Sequence, residues 1–194
     1  GDVLIGYDHA NYNYGHTALK TDWIDPEQLV WLEETIMASP HPCVLMSHAP
    51  IGDDLYNVSN SNEIFAIVRR ANQGSRRVIL AMNGHVHIDG VCVREGVPYW
   101  DVNSMSNIWL GHKYDTIRYS ETIHRTYPHL CATAPYWDAL FAQVTINCEG
   151  IHIVGRESSF VGPSPQELEY PASATFHAPS ASIASRDLPL DDIR

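Results

Sequence analysis

The sequence is short of basic residues. Only 12 lysines and arginines stand against 23 aspartates and glutamates, leaving a formal net charge of −11 over 194 residues. A nucleic-acid or membrane-surface binder needs a basic footprint, so this balance argues against both. No run approaches the roughly 20 apolar residues that a bilayer-spanning helix requires, and no signal-peptide pattern is present. The four cysteines, Cys43, Cys92, Cys131 and Cys148, lack Cys-x-x-Cys spacing. A zinc ribbon or a thioredoxin-like redox pair is therefore not expected. Cys43 and Cys92 lie in apolar β-prone runs and read as buried thiols, while Cys131 and Cys148 are open to either pairing or remaining free.

What is present in quantity is core material. A hydrophobic content of 44% can bury the interior of one domain. Asp25 is a candidate N-cap, with Pro26 at the first helical position and Gln28 three residues on, and Pro40 stops the helix near Ser39. Its buried stripe is Leu29, Leu32 and Ile36, with Trp31 at the edge. A second helix starts near Asn60 with Glu63 at the reciprocal capping position, buries Ile64, Ile67, Val68 and Ala71, and ends at Gly74. Strand, helix, strand in succession implies a parallel pair with a right-handed crossover.

Beyond residue 87 the pattern changes to short strands and turns. Val91 to Arg94 and Val97 to Val102 flank Glu95-Gly96, and Leu140 to Asn147 and Ile151 to Arg156 flank Cys148-Glu149-Gly150; both pairs read as hairpins. In the second, Leu140, Ala142, Val144 and Ile146 form the buried face. Residues 103–137 form a long connection carrying Trp109, Tyr114, Tyr119, Tyr127, Tyr136 and Trp137. It reads as a surface excursion pinned by aromatics, or alternatively as a lid offering aromatic faces to a substrate. The stretch from Pro171 to Arg194 is rich in Pro, Ser and Ala and reads as a linker or a poorly packed terminus. The expected division is a domain over 1–160 and a tail over 161–194.

Histidines carry the chemical signal. His48 closes the β-prone run Cys43 to Ser47, and Gly84-His85-Val86-His87 follows the run Arg77 to Met82. Imidazole is the commonest side-chain metal ligand, and a strand end lets it project into a cleft. In an extended stretch His85 and His87 would point to one side. His41, His112, His124, His129, His152 and His177 have no partner at useful spacing and read as ordinary loop or core residues. Asn103 and Ser104, just past a strand end, are candidate substrate-binding residues on the pocket wall; Asp53 and Asp54 are as readily a solvated turn.

The order helix, strand ending in His48-Ala49-Pro50, helix, strand ending in Gly84-His85-Val86-His87 resembles the calcineurin-like metallophosphoesterases. Asp25-Pro26-Glu27-Gln28-Leu29-Val30-Trp31-Leu32 is similar to the Gln-x-x-Trp-Leu helix start of that family, and Leu4-Ile5-Gly6-Tyr7-Asp8 to the strand and aspartate that follow its Gly-Asn-His-Asp motif. The resemblance covers about residues 3 to 106. It implies an α/β (α+β) fold, part of a two-layer β-sandwich flanked by helices and metallo-dependent phosphatase-like. It also implies two divalent metal ions, Mn, Fe or Zn, with His48 and His85 serving one and His87 the other.

The family's first three motifs, Asp-x-His, Gly-Asp-x-x-Asp and Gly-Asn-His-Asp/Glu, have no counterpart here. By the same resemblance, the remaining ligands and the general acid would lie upstream of Gly1, making this the C-terminal portion of a longer phosphoesterase. Two cations about 3.5 to 4 Å apart need carboxylates to offset their repulsion, and three neutral imidazoles supply none. This segment is therefore expected to bind metal weakly and to be nearly inactive alone. The expected partner is a small phosphoester, which an intact metal pair would attract despite the acidic field. Exposed sheet edges would offer a route to dimerisation. The alternatives are a non-catalytic scaffold, or a single-metal hydrolase using the three histidines with Asp8 or Asp53.

Overall fold

The computed structural model describes residues 3–5, 23–52, 58–171 and 177–190, the first three as backbone. Asp8, Asp53 and Asp54 lie outside the described residues.

Helix α1 spans Pro26–Ala38 and buries Leu29, Leu32 and Ile36. Trp31 rests at the edge, 41% exposed. The expected capping box does not form: Asp25 makes no side-chain cap bond and instead accepts from the Trp23 indole at 3.2 Å. Helix α2, Ser61–Ala71, buries the four apolar residues expected of it. Its N-cap Asn60 also makes no side-chain cap bond. The amide bonds Ile24 through both its N–H and its carbonyl, at 2.9 and 2.8 Å. Asn60 thereby fastens the start of α2 to the approach of α1, a tertiary role that a local capping rule cannot contain.

Five strands form the main sheet: β1 (Val3–Ile5), β2 (Cys43–Ser47), β3 (Val78–Asn83), β4 (Gly90–Arg94) and β5 (Val97–Asp101). Their order is β1-β2-β3-β5-β4. β1, β2, β3 and β5 run parallel and β4 antiparallel. The β4–β5 hairpin turns through Glu95 at φ 52° and Gly96 at φ 72°, the doubly left-handed geometry that suits the strands' own twist.

Both faces of the sheet are covered, as its continuous apolar runs require. On one face α1 and α2 pack against Cys43, Leu45, Ala81 and Tyr99. On the other, Leu80 and Trp100 meet Ile151 and Ile153 of a second, antiparallel sheet. Neighbouring residues Tyr99 and Trp100 thus anchor opposite layers. Each ring buries roughly 150 to 250 Å², so each contributes about 4 to 6 kcal/mol of transfer free energy as an upper bound. The result is an α/β fold in which two β-layers face each other and the helices α1 and α2 lie outside the larger one.

After β5 the chain makes β6 (Asn107–Trp109), helix α3 (Glu121–Thr126) and β7 (Thr133–Pro135), with β6 and β7 paired antiparallel. Only some aromatics pin this excursion. Tyr136 is buried and Tyr114 stacks edgewise on Tyr170 at 5.0 Å, but Trp109, Tyr127 and Trp137 are exposed.

The second sheet comprises β8 (Ala142–Ile146), β9 (Gly150–Gly155) and β10 (Arg186–Pro189), in the order β10-β9-β8. The expected alternation in β8 holds weakly: Ala142 and Val144 are half-buried, but Ile146 is 43% exposed. β10 corrects the expectation of a loosely packed terminus. Residues 177–190 carry Ile183 into the core at 2% exposure and add a strand to β9. A Cβ at Gly155 would run into the Ile183 carbonyl, so glycine is what lets this segment close in. Its scarcity of apolar residues conceals the packing, because backbone pairing with β9 and polar side chains elsewhere in the fold hold it.

Candidate metal centre

The register of the parallel strands builds the site. Ser47 pairs with Asn83, and Asn83 with Asp101, so β2, β3 and β5 end side by side. The Gly84 amide donates to the His48 carbonyl at 3.1 Å, and the Val102 amide to the Asn83 carbonyl at 2.7 Å. The carboxyl ends of neighbouring parallel strands are where open α/β sheets place ligands.

His48 Nε2 and His85 Nδ1 lie 3.0 Å apart, with the rings edge to face and their centroids 5.0 Å apart. His87 sits differently. Its Nδ1 bonds the Asn107 carbonyl at 2.8 Å, which assigns the proton to Nδ1 and leaves Nε2 with the lone pair. Burial, chiefly, holds the His87 pKa below its ordinary value, assisted by nearby His85 and opposed by the Asn107 carbonyl. A neutral ring with one nitrogen anchored is the form a ligating histidine needs.

The expected extended stretch is not found. β3 stops at Asn83, and His85 and His87 both have left-handed backbones, at φ 65° and 56°. The Val86 amide closes a tight turn onto the Gly84 carbonyl at 2.7 Å. Such conformations cost a non-glycine residue about 1 to 3 kcal/mol and gather at functional sites. His85 and His87 are two of the four non-glycine residues with positive φ among the described residues. The turn aims the rings separately, and the three histidines do not gather into one tight ligand cluster. Among the described residues, the group of three or more ligand atoms within 4.8 Å of one another is His112, Asp115 and Cys131.

Of the expected pocket-wall residues, Asn103 is committed elsewhere. Its amide nitrogen donates to the Ser180 and Ser182 carbonyls, both at 3.0 Å, and its oxygen accepts from the Tyr136 hydroxyl at 2.9 Å. It ties residues 177–190 to the end of β5. Ser104 Oγ accepts from the Ser106 amide at 3.2 Å and shapes the turn into β6.

Two features escaped sequence reading. Behind the histidines, the Asn83 amide donates to the Asp101 carboxylate, both residues buried, while Asn83 Oδ1 is buried without a partner. Polar residues closing apolar strands were the available signal. Asn107, whose carbonyl holds His87, also lines a cavity of about 370 Å³ with Trp109, Tyr127, Pro128, His129 and Leu130. A backbone carbonyl leaves no mark in a sequence.

The residues present fit a divalent cation in part. Two imidazole nitrogens 3.0 Å apart approach the roughly 3.4 Å separation of two nitrogens bound at about 2.1 Å to one tetrahedral ion. The fold and the site together define an α/β protein with paired imidazoles at the carboxyl ends of adjacent parallel strands. No protein-family model matches the sequence, and no curated protein matches it. Among solved structures the chain is similar to a dimetal phosphatase from Danio rerio, at 18% identity and a TM-score of 0.44, covering 73% of this chain and 39% of that one. The chain thus spans well under two thirds of that protein's length.

Proposed function

We propose that this chain contributes His48, His85 and His87 to a divalent-metal centre that hydrolyses phosphoesters. The observation that carries the reading is the meeting of His48 and His85 at the ends of β2 and β3, in the two motifs that resemble the metallophosphoesterase pattern. His48 Nε2 and His85 Nδ1 would offer their lone pairs, and His87 would offer Nε2, its Nδ1 being held by Asn107. A cation bound there would polarise a phosphoryl oxygen and acidify a bound water. The cavity beside Asn107 supports the lid reading of residues 103–137, since its aromatic and aliphatic lining suits the organic part of an ester.

Calorimetric titration of the chain with Mn²⁺, a poor match for thiolate ligands, tests the ligand assignment. Weak binding is expected, lost in His48→Ala and in His85→Ala. Hydrolysis of p-nitrophenyl phosphate and its bis ester should be nearly absent from the chain alone. It should appear when the chain is joined to segments carrying the carboxylate motifs of the family. Unchanged affinity in the doubly substituted His48→Ala/His85→Ala chain would overturn the proposal and favour a non-catalytic scaffold.

A further inference from the structure

The excursion between β6 and β7 brings Cys131 against His112 and Asp115, which sit three residues apart at one turn. His112 begins a short 3-10 turn, Asp115 follows that turn, and Cys131 lies in a second 3-10 segment, 128–132. Backbone bonds fix this arrangement. The Thr116 amide donates to the Cys131 carbonyl at 2.9 Å, the Gly111 amide to the Ala132 carbonyl at 3.1 Å, and the Tyr114 amide to the Gly111 carbonyl at 3.0 Å. The three potential ligand atoms, one nitrogen, one oxygen and one sulfur, all lie within 4.8 Å of one another.

We propose that His112, Asp115 and Cys131 bind a zinc-type cation, at a site separate from the histidines of β2 and β3 and independent of the reading given to them. The ligand set selects the metal. Imidazole, carboxylate and thiolate together suit borderline-soft Zn²⁺, whereas Mg²⁺ and Ca²⁺ prefer oxygen alone. The distances agree as well. A tetrahedral zinc site with bonds of about 2.0 to 2.3 Å separates its ligand atoms by roughly 3.3 to 3.8 Å. His112 Nδ1 is already 3.1 and 3.3 Å from the two Asp115 oxygens. The fourth position is left to solvent, with the His129 ring centroid 6.0 Å from that of His112.

Without a cation, His112 Nδ1 faces the Asp115 carboxylate at 3.1 Å and the Cys131 thiol donates to the Pro128 carbonyl at 3.0 Å. A dication can take the place of the thiol proton, the His112 proton moving from Nδ1 to Nε2 so that Nδ1 offers its lone pair. Binding turns the Cys131 thiol into a thiolate, forms the metal–sulfur bond and releases one proton to solvent; the neutral imidazole and ionised carboxylate give up none.

The placement defines a role. Residues 116–130 form a lobe whose helix α3 buries none of its residues, so little apolar packing holds it. A metal joining Asp115 to Cys131 closes the base of this lobe, and the lobe in turn carries Tyr127 and His129 of the cavity wall. The cation thus acts as a clamp on that wall.

The test is titration of the chelator-treated full chain with Co²⁺ as a spectroscopic probe, followed by Zn²⁺. A thiolate-to-cobalt charge-transfer band in the near ultraviolet is expected, with one thiolate engaged per chain, and Zn²⁺ should bleach it. Cys131→Ser should abolish the band, while Cys148→Ser and His85→Ala should keep it. In the His48→Ala/His85→Ala background Zn²⁺ should raise the melting temperature, and adding Cys131→Ser should remove that rise. Should Cys131→Ser fail to fold, His112→Ala and Asp115→Asn, both at exposed positions, replace it and are expected to weaken the band. No band in the native chain, a band that survives Cys131→Ser or is undiminished by both exposed substitutions, or one lost in Cys148→Ser or His85→Ala overturns the proposal.

Discussion

His48 Nε2 lies 3.0 Å from His85 Nδ1 although the residues are 37 positions apart. A parallel register places them side by side, and a left-handed backbone at His85 turns the second ring toward the first.

That strain separates a ligand from a structural residue. His85→Gly relieves about 1 kcal/mol or more of backbone strain and loses a hydrogen bond worth roughly 1 kcal/mol. Metal-free stability in urea should therefore change by less than about 1 kcal/mol, while the rise in melting temperature caused by Mn²⁺ disappears. A loss of several kcal/mol in metal-free protein would make His85 a packing residue instead.

Asp89 is the electrostatic anchor of residues 177–190. Its carboxylate accepts from the Trp100 indole at 2.9 Å and the Ala184 amide at 3.0 Å, and it pairs with Arg186. The Asp89 side chain is 6% exposed and that of Arg186 20%. Asp89→Ala strands three donors at once and should cost about 3 to 5 kcal/mol. Equilibrium unfolding measures the loss, and protease sensitivity across 184–190 locates it. Stability within 1 kcal/mol or so of the native chain would remove Asp89 from this role.

Asn103→Ala should act on the same segment by another route. Two carbonyls and the Tyr136 hydroxyl lose their partner, at about 3 kcal/mol. Faster amide exchange at 180–183 is the expected signature. Metal binding by His48 and His85 should be unaffected, and its loss would place Asn103 in the site after all.

Two buried phenols set the alkaline limit. Burial raises the Tyr99 and Tyr136 pKa values well above their ordinary 10.0, the Asn103 hydrogen bond opposing the shift at Tyr136. Above pH 10 the unfolded chain loses phenolic protons that the folded chain keeps, so stability falls as pH rises from there. The Tyr99 hydroxyl is buried without a partner. Tyr99→Phe should therefore flatten the alkaline decline and raise stability at neutral pH by about 1 kcal/mol. An unchanged alkaline limb in unfolding curves taken from pH 7 upward would refute the assignment.

Patterned burial was legible in advance. The stripes Leu29, Leu32, Ile36 and Ile64, Ile67, Val68, Ala71 occupy the helix faces expected of them, and both hairpins form, because each depends on periodicity within a few residues. The caps were misjudged in part: Asp25 spends its side chain on Trp23, and Asn60 bonds Ile24 as well as the Glu63 carboxylate expected to partner it, with no side-chain cap bond to the helix backbone. The C-terminal strand was misjudged too, since β10 is held by the backbone of β9 and by Asp89 and Asn103.

By itself the order of residues determined the helices, the apolar strands and the presence of histidines at two strand ends, all consequences of local spacing. Tertiary structure decided which nitrogens meet, that His87 binds a carbonyl, that Asn103 serves the fold, and that His112, Asp115 and Cys131 converge across an intervening helix. Those outcomes depend on strand register and on backbone groups, and neither is written in the side chains along the chain.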